Sequence, residues 1–538
     1  MERHGLSFSI GALALTLGLA GVVPATSAGS APSAAPQAQA RAGDQALRMA
    51  VRAVGGADAL RGLRGFRYAA TGQRWIFDEG VRPGDPAKPS AAFDQRVQYV
   101  VAGRRGPSMV RVDAVRTSAG ADRPVHEVIN GQRGFIRGVD ANFSTSASKP
   151  MTADRGAAIR EELALLNPHV LLLQALRNPR MARDGGRVVL GGQAFRVLVL
   201  RHAVAPVRLL ISARTGRIAR LRTFQHDYLR RDVRIEVRYS RWRAAGSGLR
   251  FPHAVALWSD GERLHRETRP PARLLANPRI ARRAFRIPDS VRAARFGGRL
   301  TTVGRNTSEW VMSFANLGFI KDGGQTAINP TRIAPGVIQL AGVSNNSLVV
   351  RRASGIVVFE GALHDLRAEA VIRFIRNRFP GERITHVVST HHHSDHAGGM
   401  RPYVALGARA VLHERAVSYF RQVFRERSSR IMPDRLDRTD RPARIVSVPA
   451  GGSRLLDDAN QRVRVLPFPV DHSVDMAVAF AERGGVLFVS DVYTPGSPPG
   501  ATGQALNDLI EANSLDVQWI AGGHGGFISY DDFLADLG

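Results

Sequence analysis

Four histidines and one aspartate fall within six positions of the C-terminal third of the chain. They lie in ITHVVSTHHHSDHAGG (residues 384–399), directly after a β-branched apolar run that predicts a strand. At a strand end, side chains alternate between two sides, so His391 and His393 point the same way. The chain then turns, so Asp395 and His396 can reach the same region, and the Ala-Gly-Gly that follows permits close backbone packing. This spacing predicts a metal site rather than a histidine-rich surface.

Three further candidate ligands each follow an apolar run that reads as a strand. His472 follows VRVLPFPV, Asp491 follows GGVLFVS and His524 follows VQWIAGG. Strands that end in one ligand each are typical of a metal centre at the rim of a sheet. Imidazole and carboxylate together suit Zn²⁺ and its borderline neighbours.

In this order, the candidate ligands resemble the signature of the metallo-β-lactamase superfamily. The elements are HxHxDH, a lone histidine, an aspartate and a final histidine. The resemblance covers about residues 333–538 and implies an αβ/βα four-layer sandwich for that catalytic domain. Glu360 ends the apolar run GIVVFE, and its carboxylate is expected to support a ligand histidine from behind, with an exposed surface carboxylate as the alternative.

The same resemblance implies a role for each ligand and a pair of divalent metal ions. His391, His393 and His472 would hold the first ion, and Asp395, His396 and His524 the second. Asp491 would bridge the two ions. Zn²⁺ is the expected metal, with Fe and Mn as alternatives.

The resemblance predicts a hydrolase that uses a metal-bound hydroxide. Asp491 would fix the spacing of the ions, and Asp395 could carry a proton to the leaving group. An ester, lactone or thioester is the favoured substrate class, and β-lactamase-like amide hydrolysis or phosphodiester cleavage are the alternatives. Persulfide dioxygenation is a minor alternative, because that chemistry occurs on similar ligands. The chain contains no cysteine, which excludes a β-lactamase with a cysteine ligand.

The N-terminal part reads as a β-rich domain over residues 44–295. Its strands are separated by turns, including Gly191-Gly192 and the hairpin dipeptide Asp260-Gly261. With a few helices, this order indicates an antiparallel sheet. The stretches VGGADALRGLRGFRY, VRLLISARTGRIARL, DVRIEVRYSRW and GLRFPHAVALWSDG moderately resemble the half-barrel fold of bacterial lipoprotein carriers. Residues 296–332 read as a connector. The whole chain is therefore predicted to be an α+β multidomain protein.

The net charge of +29 lies almost entirely in the N-terminal part. Residues 301–538 carry a net charge of +1, so residues 1–300 carry +28, mostly as arginine. Genome base composition alone could produce this excess. A polyanionic neighbour, such as anionic lipid or an envelope polymer, is the functional alternative. A protein of another class, which binds envelope lipid or polyanion and carries an auxiliary metal module, therefore stays open; nucleic acid is a less expected partner.

The first residues have the order of a secretory signal peptide. A short polar start, an apolar stretch and small residues predict a signal over residues 1–28, with cleavage as late as residue 40 as an alternative. A flexible lead-in over residues 29–43 is expected to follow. We therefore expect a periplasmic or secreted protein that acts on a small-molecule substrate without disulfides. The sequence leaves the oligomeric state open.

Overall fold

The computed structural model describes residues 34–538, apart from residues 104–107, 119, 139–147, 152, 203, 292, 294, 296–325, 327, 343 and 428. A β-rich N-terminal domain precedes a C-terminal domain of strands and helices, so the predicted α+β multidomain architecture is confirmed. The predicted signal peptide and most of the predicted connector lie outside the described residues. No helix in the described part of the chain has both the length and the apolar character that crossing a membrane requires.

The N-terminal domain is built on one antiparallel sheet of fourteen strands. These are β1 (Gly65–Ile76), β2 (Lys88–Val100), β3 (Met109–Ser118), β4 (Ala121–Asn130), β5 (Arg133–Gly138), β6 (Ser148–Pro150), β7 (Ala182–Leu190), β8 (Gln193–Leu200), β9 (Val207–Ser212), β10 (Ile218–Asp227), β11 (Arg231–Ala244), β12 (Arg250–Ser259), β13 (Glu262–Thr268) and β14 (Leu275–Ala276). Their order is β6-β5-β4-β3-β2-β1-β13-β12-β11-β10-β9-β8-β7, with β14 paired to β1, so β6 and β7 form the two edges.

Four helices share a buried apolar core with this sheet. They are α1 (Ala34–Ala53), α2 (Ala57–Arg61), α3 (Ala153–Leu166) and α4 (His169–Arg177). The predicted hairpins are confirmed: β7 and β8 turn at Gly191-Gly192, and β12 and β13 turn at Asp260-Gly261. Both residues of each turn have positive φ, as a two-residue hairpin of type I′ requires. The likeness to lipoprotein carriers stays a prediction.

Two predicted boundaries are wrong. The flexible lead-in over residues 29–43 is contradicted for residues 34–43, because α1 begins at Ala34. Alanine and glutamine are strong helix formers, so low complexity did not mean an irregular chain here. The C-terminal domain begins at Asn329 rather than at residue 333, because an edge strand pairs with the next strand there. Most residues of that strand are exposed, so its sequence lacks the alternation that marks a half-buried strand.

Two sheets and five longer helices form the C-terminal domain. The seven-stranded sheet contains β15 (Asn329–Ala334), β16 (Val337–Ala341), β17 (Ser347–Arg352), β18 (Gly355–Phe359), β19 (Ile384–Val388), β20 (Arg409–His413) and β21 (Ile445–Val448). The six-stranded sheet contains β22 (Arg454–Leu456), β23 (Val463–Pro467), β24 (Ala477–Ala481), β25 (Val486–Ser490), β26 (Trp519–Gly522) and β27 (Phe527–Ser529). The helices are α5 (Asp365–Arg378), the single turn α6 (Ser394–Ala397), α7 (Met400–Ala405), α8 (Val417–Arg425), α9 (Gly500–Ala512) and α10 (Tyr530–Leu537).

The two sheets pack face to face, and helices cover their outer faces. Strand β18 shows the layering, because its residues alternate between two cores. Val357 and Phe359 join the core between the sheets, whereas Ile356 and Val358 join the core formed with α5, α7 and α8. Helices α9 and α10 pack on the outer face of the second sheet. The predicted αβ/βα four-layer sandwich is therefore confirmed.

The turn between β10 and β11 inserts into the C-terminal domain. Leu229 belongs to the core beneath α5, α7 and α8. The Arg231 side chain is 1% exposed, donates to the Met432 backbone oxygen at 3.1 Å, and pairs with Asp434 and Asp437. The two domains thus share a buried apolar and ionic interface.

Candidate metal centre

The HxHxDH segment lies where the central strand β19 gives way to a short loop and helix α6. His391, His393 and His396 are each no more than 1% exposed. The loop is folded back on itself, because the backbone amides of His396 and Ala397 both donate to the His393 carbonyl oxygen, at 3.0 and 2.9 Å. This local turn brings residues from both ends of the motif to the same side of the sheet.

The remaining candidate ligands come from strand ends of the second sheet. His472 follows β23, Asp491 directly follows β25, and His524 follows β26. Two strand ends turn sharply toward the centre: Glu360 after β18 has φ of 65°, and Ser490 at the end of β25 has φ of 51°. Positive φ at non-glycine residues is strained, and such residues cluster at functional sites.

The structure brings all seven predicted ligands together, in two adjacent groups. One group contains His391, His393, His472 and Asp491, and the other contains Asp395, His396 and His524. Within each group, one candidate ligand atom per residue lies within 4.8 Å of the others. No other group of this kind occurs among the residues that the structure describes.

Asp491 faces both groups with different oxygens. Its Oδ2 lies 3.1 Å from His472 Nε2 and 3.8 Å from His391 Nε2. Its Oδ1 lies 3.1 Å from His396 Nε2 and 3.2 Å from His524 Nε2. The carboxylate therefore stands between the two groups, at the place where the resemblance puts the bridging ligand.

The protein holds four of the histidines by one ring nitrogen each. Glu360 accepts from His396 Nδ1 at 2.9 Å, and the Ser344 backbone oxygen accepts from His524 Nδ1 at 2.9 Å. Likewise Thr390 Oγ1 lies 3.1 Å from His391 Nδ1, and His393 Nε2 donates to the Gly80 backbone oxygen at 2.8 Å. Each ring thus keeps its second nitrogen free for a metal, which is how metal-binding histidines are oriented.

The free atoms fit divalent ions. Among the described residues, His391 Nε2, His396 Nε2 and Asp491 Oδ1 are buried polar atoms without a hydrogen bond. Such atoms are costly to bury unless something pairs with them. Each of the two groups combines imidazole nitrogens with a carboxylate oxygen, a set of donor atoms that suits a divalent cation.

Burial and neighbouring charges set the protonation of these groups. Burial lowers the pKa of His391 well below its ordinary value and that of His393 to about 3, so both rings are neutral. Burial alone would lower the pKa of His524, but the Asp491 carboxylate beside it raises that pKa to about 9. The positive charge of His396 keeps the pKa of Asp491 well below its ordinary value despite burial. Metal binding requires ionised carboxylates and neutral imidazoles, so an ion bound beside His396 and His524 would displace a proton from each of these two rings.

Comparison with known proteins identifies the domain that carries this centre. Residues 340–524 match the sequence model of the metallo-beta-lactamase superfamily. The C-terminal domain is a metallo-β-lactamase domain. This fold binds divalent metals, typically two. A sequence search of curated proteins found no match.

Solved structures similar to the chain include metallo-β-lactamases and a flavodiiron protein. FIM-1 from Pseudomonas aeruginosa, in its mono-zinc form, is 18% identical over 39% of this chain and 92% of its own, with a TM-score of 0.31. The metallo-beta-lactamase from Pontibacter korlensis is 16% identical over 39% of this chain and 96% of its own, with a TM-score of 0.30. The flavodiiron protein from Giardia intestinalis is 14% identical, and the match covers 39% of this chain but only 57% of that one, with a TM-score of 0.30.

Other histidines and acids near the metallo-β-lactamase centre have structural roles. His392 points away from the ligands, is fully buried, and lies 2.7 Å from Asp475 through its Nδ1. Asp475 also accepts from Ser473 Oγ at 2.5 Å. The pair ties the HxHxDH loop to the loop of His472, a role that the sequence did not predict for Asp475.

Sequence reasoning also missed a contribution from the N-terminal domain. The loop between β1 and β2 reaches the centre, where Gly80 accepts from His393 and Glu79 accepts from Ser394 Oγ at 2.9 Å. Nothing in the local sequence FDEGVRPGDPA marks it as part of a site. Only the tertiary structure reveals this contact, which joins residues 313 positions apart.

Proposed function

We propose that this protein is a dinuclear metal-dependent hydrolase that acts on an ester, lactone, thioester or related bond. One observation carries the proposal: the two oxygens of Asp491 face two separate groups of histidines. A carboxylate in that position can hold two divalent ions at the short separation that dinuclear hydrolases use.

Each ligand then has a defined place. His391, His393 and His472 would hold the first ion, Asp395, His396 and His524 the second, and Asp491 both. When bound, the pair supplies a water-derived nucleophile at neutral pH and offsets the negative charge that develops on an attacked carbonyl. Zn²⁺ suits these donors best, and Fe or Mn would use the same nitrogen and oxygen atoms.

Asp395 is the residue proposed to handle the proton. Asn345 Nδ2 donates to Asp395 Oδ2 at 3.1 Å, which fixes the orientation of the carboxylate. Oδ2 also lies 3.4 Å from His396 Nε2 and 3.6 Å from His524 Nε2, so the carboxylate faces the centre. There it could take the proton from the attacking water and pass it to the leaving group. The chain has no cysteine that could act as a competing nucleophile.

Substrate would approach from the side of His472 and His524. Their side chains are 41% and 24% exposed, whereas His391 and His396 are fully buried. The open side of the centre therefore lies along the ends of β23 and β26. β-Lactam amide and phosphodiester bonds could be presented there too, and they remain the alternative substrates.

Replacing one proposed ligand tests the proposal. We expect purified protein to carry about two divalent ions per chain and to hydrolyse generic esters or lactones. His393→Ala should lose bound metal and reduce hydrolysis by more than the ~10–100-fold that is typical of outer-sphere changes. Metal analysis and initial rates across esters, lactones, thioesters, phosphodiesters and β-lactams provide the measurements.

His386→Gln is the matched control. His386 lies in β19, the strand that precedes the HxHxDH segment, and hydrogen-bonds the adjacent Thr385 side chain rather than the centre. This variant should keep wild-type metal content and rates. Hydrolysis by His393→Ala at the wild-type rate would contradict the proposed function.

A further inference from the structure

The loop between β1 and β2, residues 77–87, is docked directly on the metal centre. The Ser394 backbone amide donates to the Asp78 carbonyl oxygen at 3.2 Å, and the Val474 amide donates to the Val81 carbonyl oxygen at 2.9 Å. Ser394 belongs to the HxHxDH segment, and Val474 follows His472 by two positions. The loop therefore bridges the two segments that carry the histidines of the first group.

Side-chain contacts fix the same loop at its base. Asp78 accepts a hydrogen bond from the Tyr419 hydroxyl at 2.9 Å and lies 3.3 Å from Arg230 Nε. The Arg230 guanidinium also lies 3.6 Å above the Phe77 ring. Contacts to both domains hold the loop, so its tip is held in position rather than free to swing.

The tip of the loop selects which nitrogen of His393 is available. Gly80 accepts from His393 Nε2 at 2.8 Å, so Nε2 carries the proton and Nδ1 keeps the lone pair. A metal can therefore bind this ring only through Nδ1. The orienting carbonyl comes from the N-terminal domain, outside the residues that match the superfamily.

Glu79 approaches that same nitrogen. Its Oε2 lies 3.6 Å from His393 Nδ1, and its side chain is 13% exposed. Two ligand atoms that share one zinc ion lie about 3.4 Å apart, given Zn–N and Zn–O bonds of ~2.1 Å at a tetrahedral angle. Its other oxygen accepts from Ser394 Oγ, which holds the carboxylate in this orientation.

We propose that Glu79 is an additional ligand of the first metal ion, supplied by the N-terminal domain. The inference rests on the proposed function, because it requires that His391, His393 and His472 hold an ion. The metal centre is then a product of both domains: one carries the signature ligands, and the other adds a carboxylate and fixes a histidine.

Metal binding by the full-length chain tests the inference without an activity assay. Metal-free wild type, Glu79→Gln and Asp85→Asn are titrated with Co²⁺ against a chromophoric chelator, and the visible Co²⁺ spectrum is recorded. Asp85 is the matched control, because its carboxylate accepts from Arg82 N at 2.8 Å within the same loop. Glutamine keeps the shape of Glu79 but is a much weaker ligand than a carboxylate.

Glu79→Gln should lose about tenfold or more in affinity for one of two Co²⁺ ions and should change the Co²⁺ spectrum. Asp85→Asn should match wild type. If Glu79→Gln proves unstable in thermal unfolding, Glu79→Asp takes its place. The aspartate keeps the charge but is shorter by one methylene, so it should show the same loss of affinity. If Glu79→Gln binds two Co²⁺ ions with the affinity and spectrum of wild type, the inference about Glu79 is wrong and the proposed function is unaffected. Failure of wild type to bind Co²⁺ would overturn the proposed function as well.

Discussion

One buried carboxylate, Glu360, orients two of the ligand histidines by hydrogen bonds. Glu360 is completely buried and its Oε1 accepts from His396 Nδ1, Thr390 Oγ1 and Ser490 Oγ. The Thr390 hydroxyl in turn lies 3.1 Å from His391 Nδ1. One carboxylate therefore orients, directly or through one hydroxyl, a histidine from each of the two groups.

Glu360→Gln should weaken metal binding without removing a ligand. The amide oxygen can still accept hydrogen bonds, but the negative charge that makes His396 a stronger donor to a cation is lost. We expect a loss of about tenfold in affinity for the second metal ion, measured by competition with a chelator. Glu369→Gln is the control, because Glu369 pairs with Arg435 on the surface. Equal affinities in both variants would contradict this role of Glu360.

At the scale of elements, close backbone packing holds the ligand loop against its neighbours. A Cβ added at Gly398 would lie 2.1 Å from the Leu363 carbonyl oxygen and 2.6 Å from that of Ser394. Both contacts are with backbone, which cannot rotate away. The segment after β18 and helix α6 can therefore touch only if residue 398 has no side chain.

Gly398→Ala should destabilise the C-terminal domain. Overpacking of this kind costs about 1–3 kcal/mol, and relief would require the HxHxDH loop to shift. We expect a lower midpoint of thermal unfolding together with weaker metal binding. Gly452→Ala is the control, because the nearest atom to its added Cβ is a Pro449 side-chain carbon at 3.6 Å. An unchanged midpoint for Gly398→Ala would contradict the packing argument.

The sequence identified the seven side chains that meet at the centre, because each lies in the segment that follows a buried strand. Mostly apolar runs precede His391 and Asp491, and the order HxHxDH, histidine, aspartate, histidine along the chain itself indicates a metal centre. By contrast, Glu79 lies in a polar loop whose partners are more than 300 positions away, so local pattern carries no signal for it. Strand β15 was missed for a related reason, because an exposed edge strand has no apolar alternation.

At the scale of the whole molecule, buried charge joins the two domains. Arg231 from the N-terminal domain meets Asp434 and Asp437, and Arg401 pairs with both carboxylates from within the C-terminal domain. Removing one partner of a buried ionic network leaves uncompensated charge, which is strongly destabilising. The interface that places the β1–β2 loop over the metal centre therefore depends on this network. Export and a polyanionic partner stay predictions from the sequence.

This network also makes stability depend on pH through Asp365, the first residue of α5. Burial and the charge of Asp434 raise the pKa of Asp365 to about 7, although Arg231 and Arg401 oppose the shift and Asp437 adds to it. The folded protein therefore holds this proton more tightly than the unfolded chain does. Its stabilising contribution is complete below pH ~4 and is lost as pH rises through 7.

Asp365→Asn should remove that loss, because the amide stays neutral at every pH. We expect its midpoint of thermal unfolding to exceed that of wild type by more at pH 8 than at pH 5, in metal-free protein with matched ionic strength. Asp94→Asn, an exposed position on β2, should shift the midpoint equally at both values. A difference between Asp365→Asn and wild type that is the same at pH 5 and pH 8 would mean that Asp365 is already ionised in the fold at pH 5. Arg231 and Arg401 would then lower the pKa of Asp365 more than burial raises it. The charges at the domain interface would be fully paired from pH 5 to pH 8.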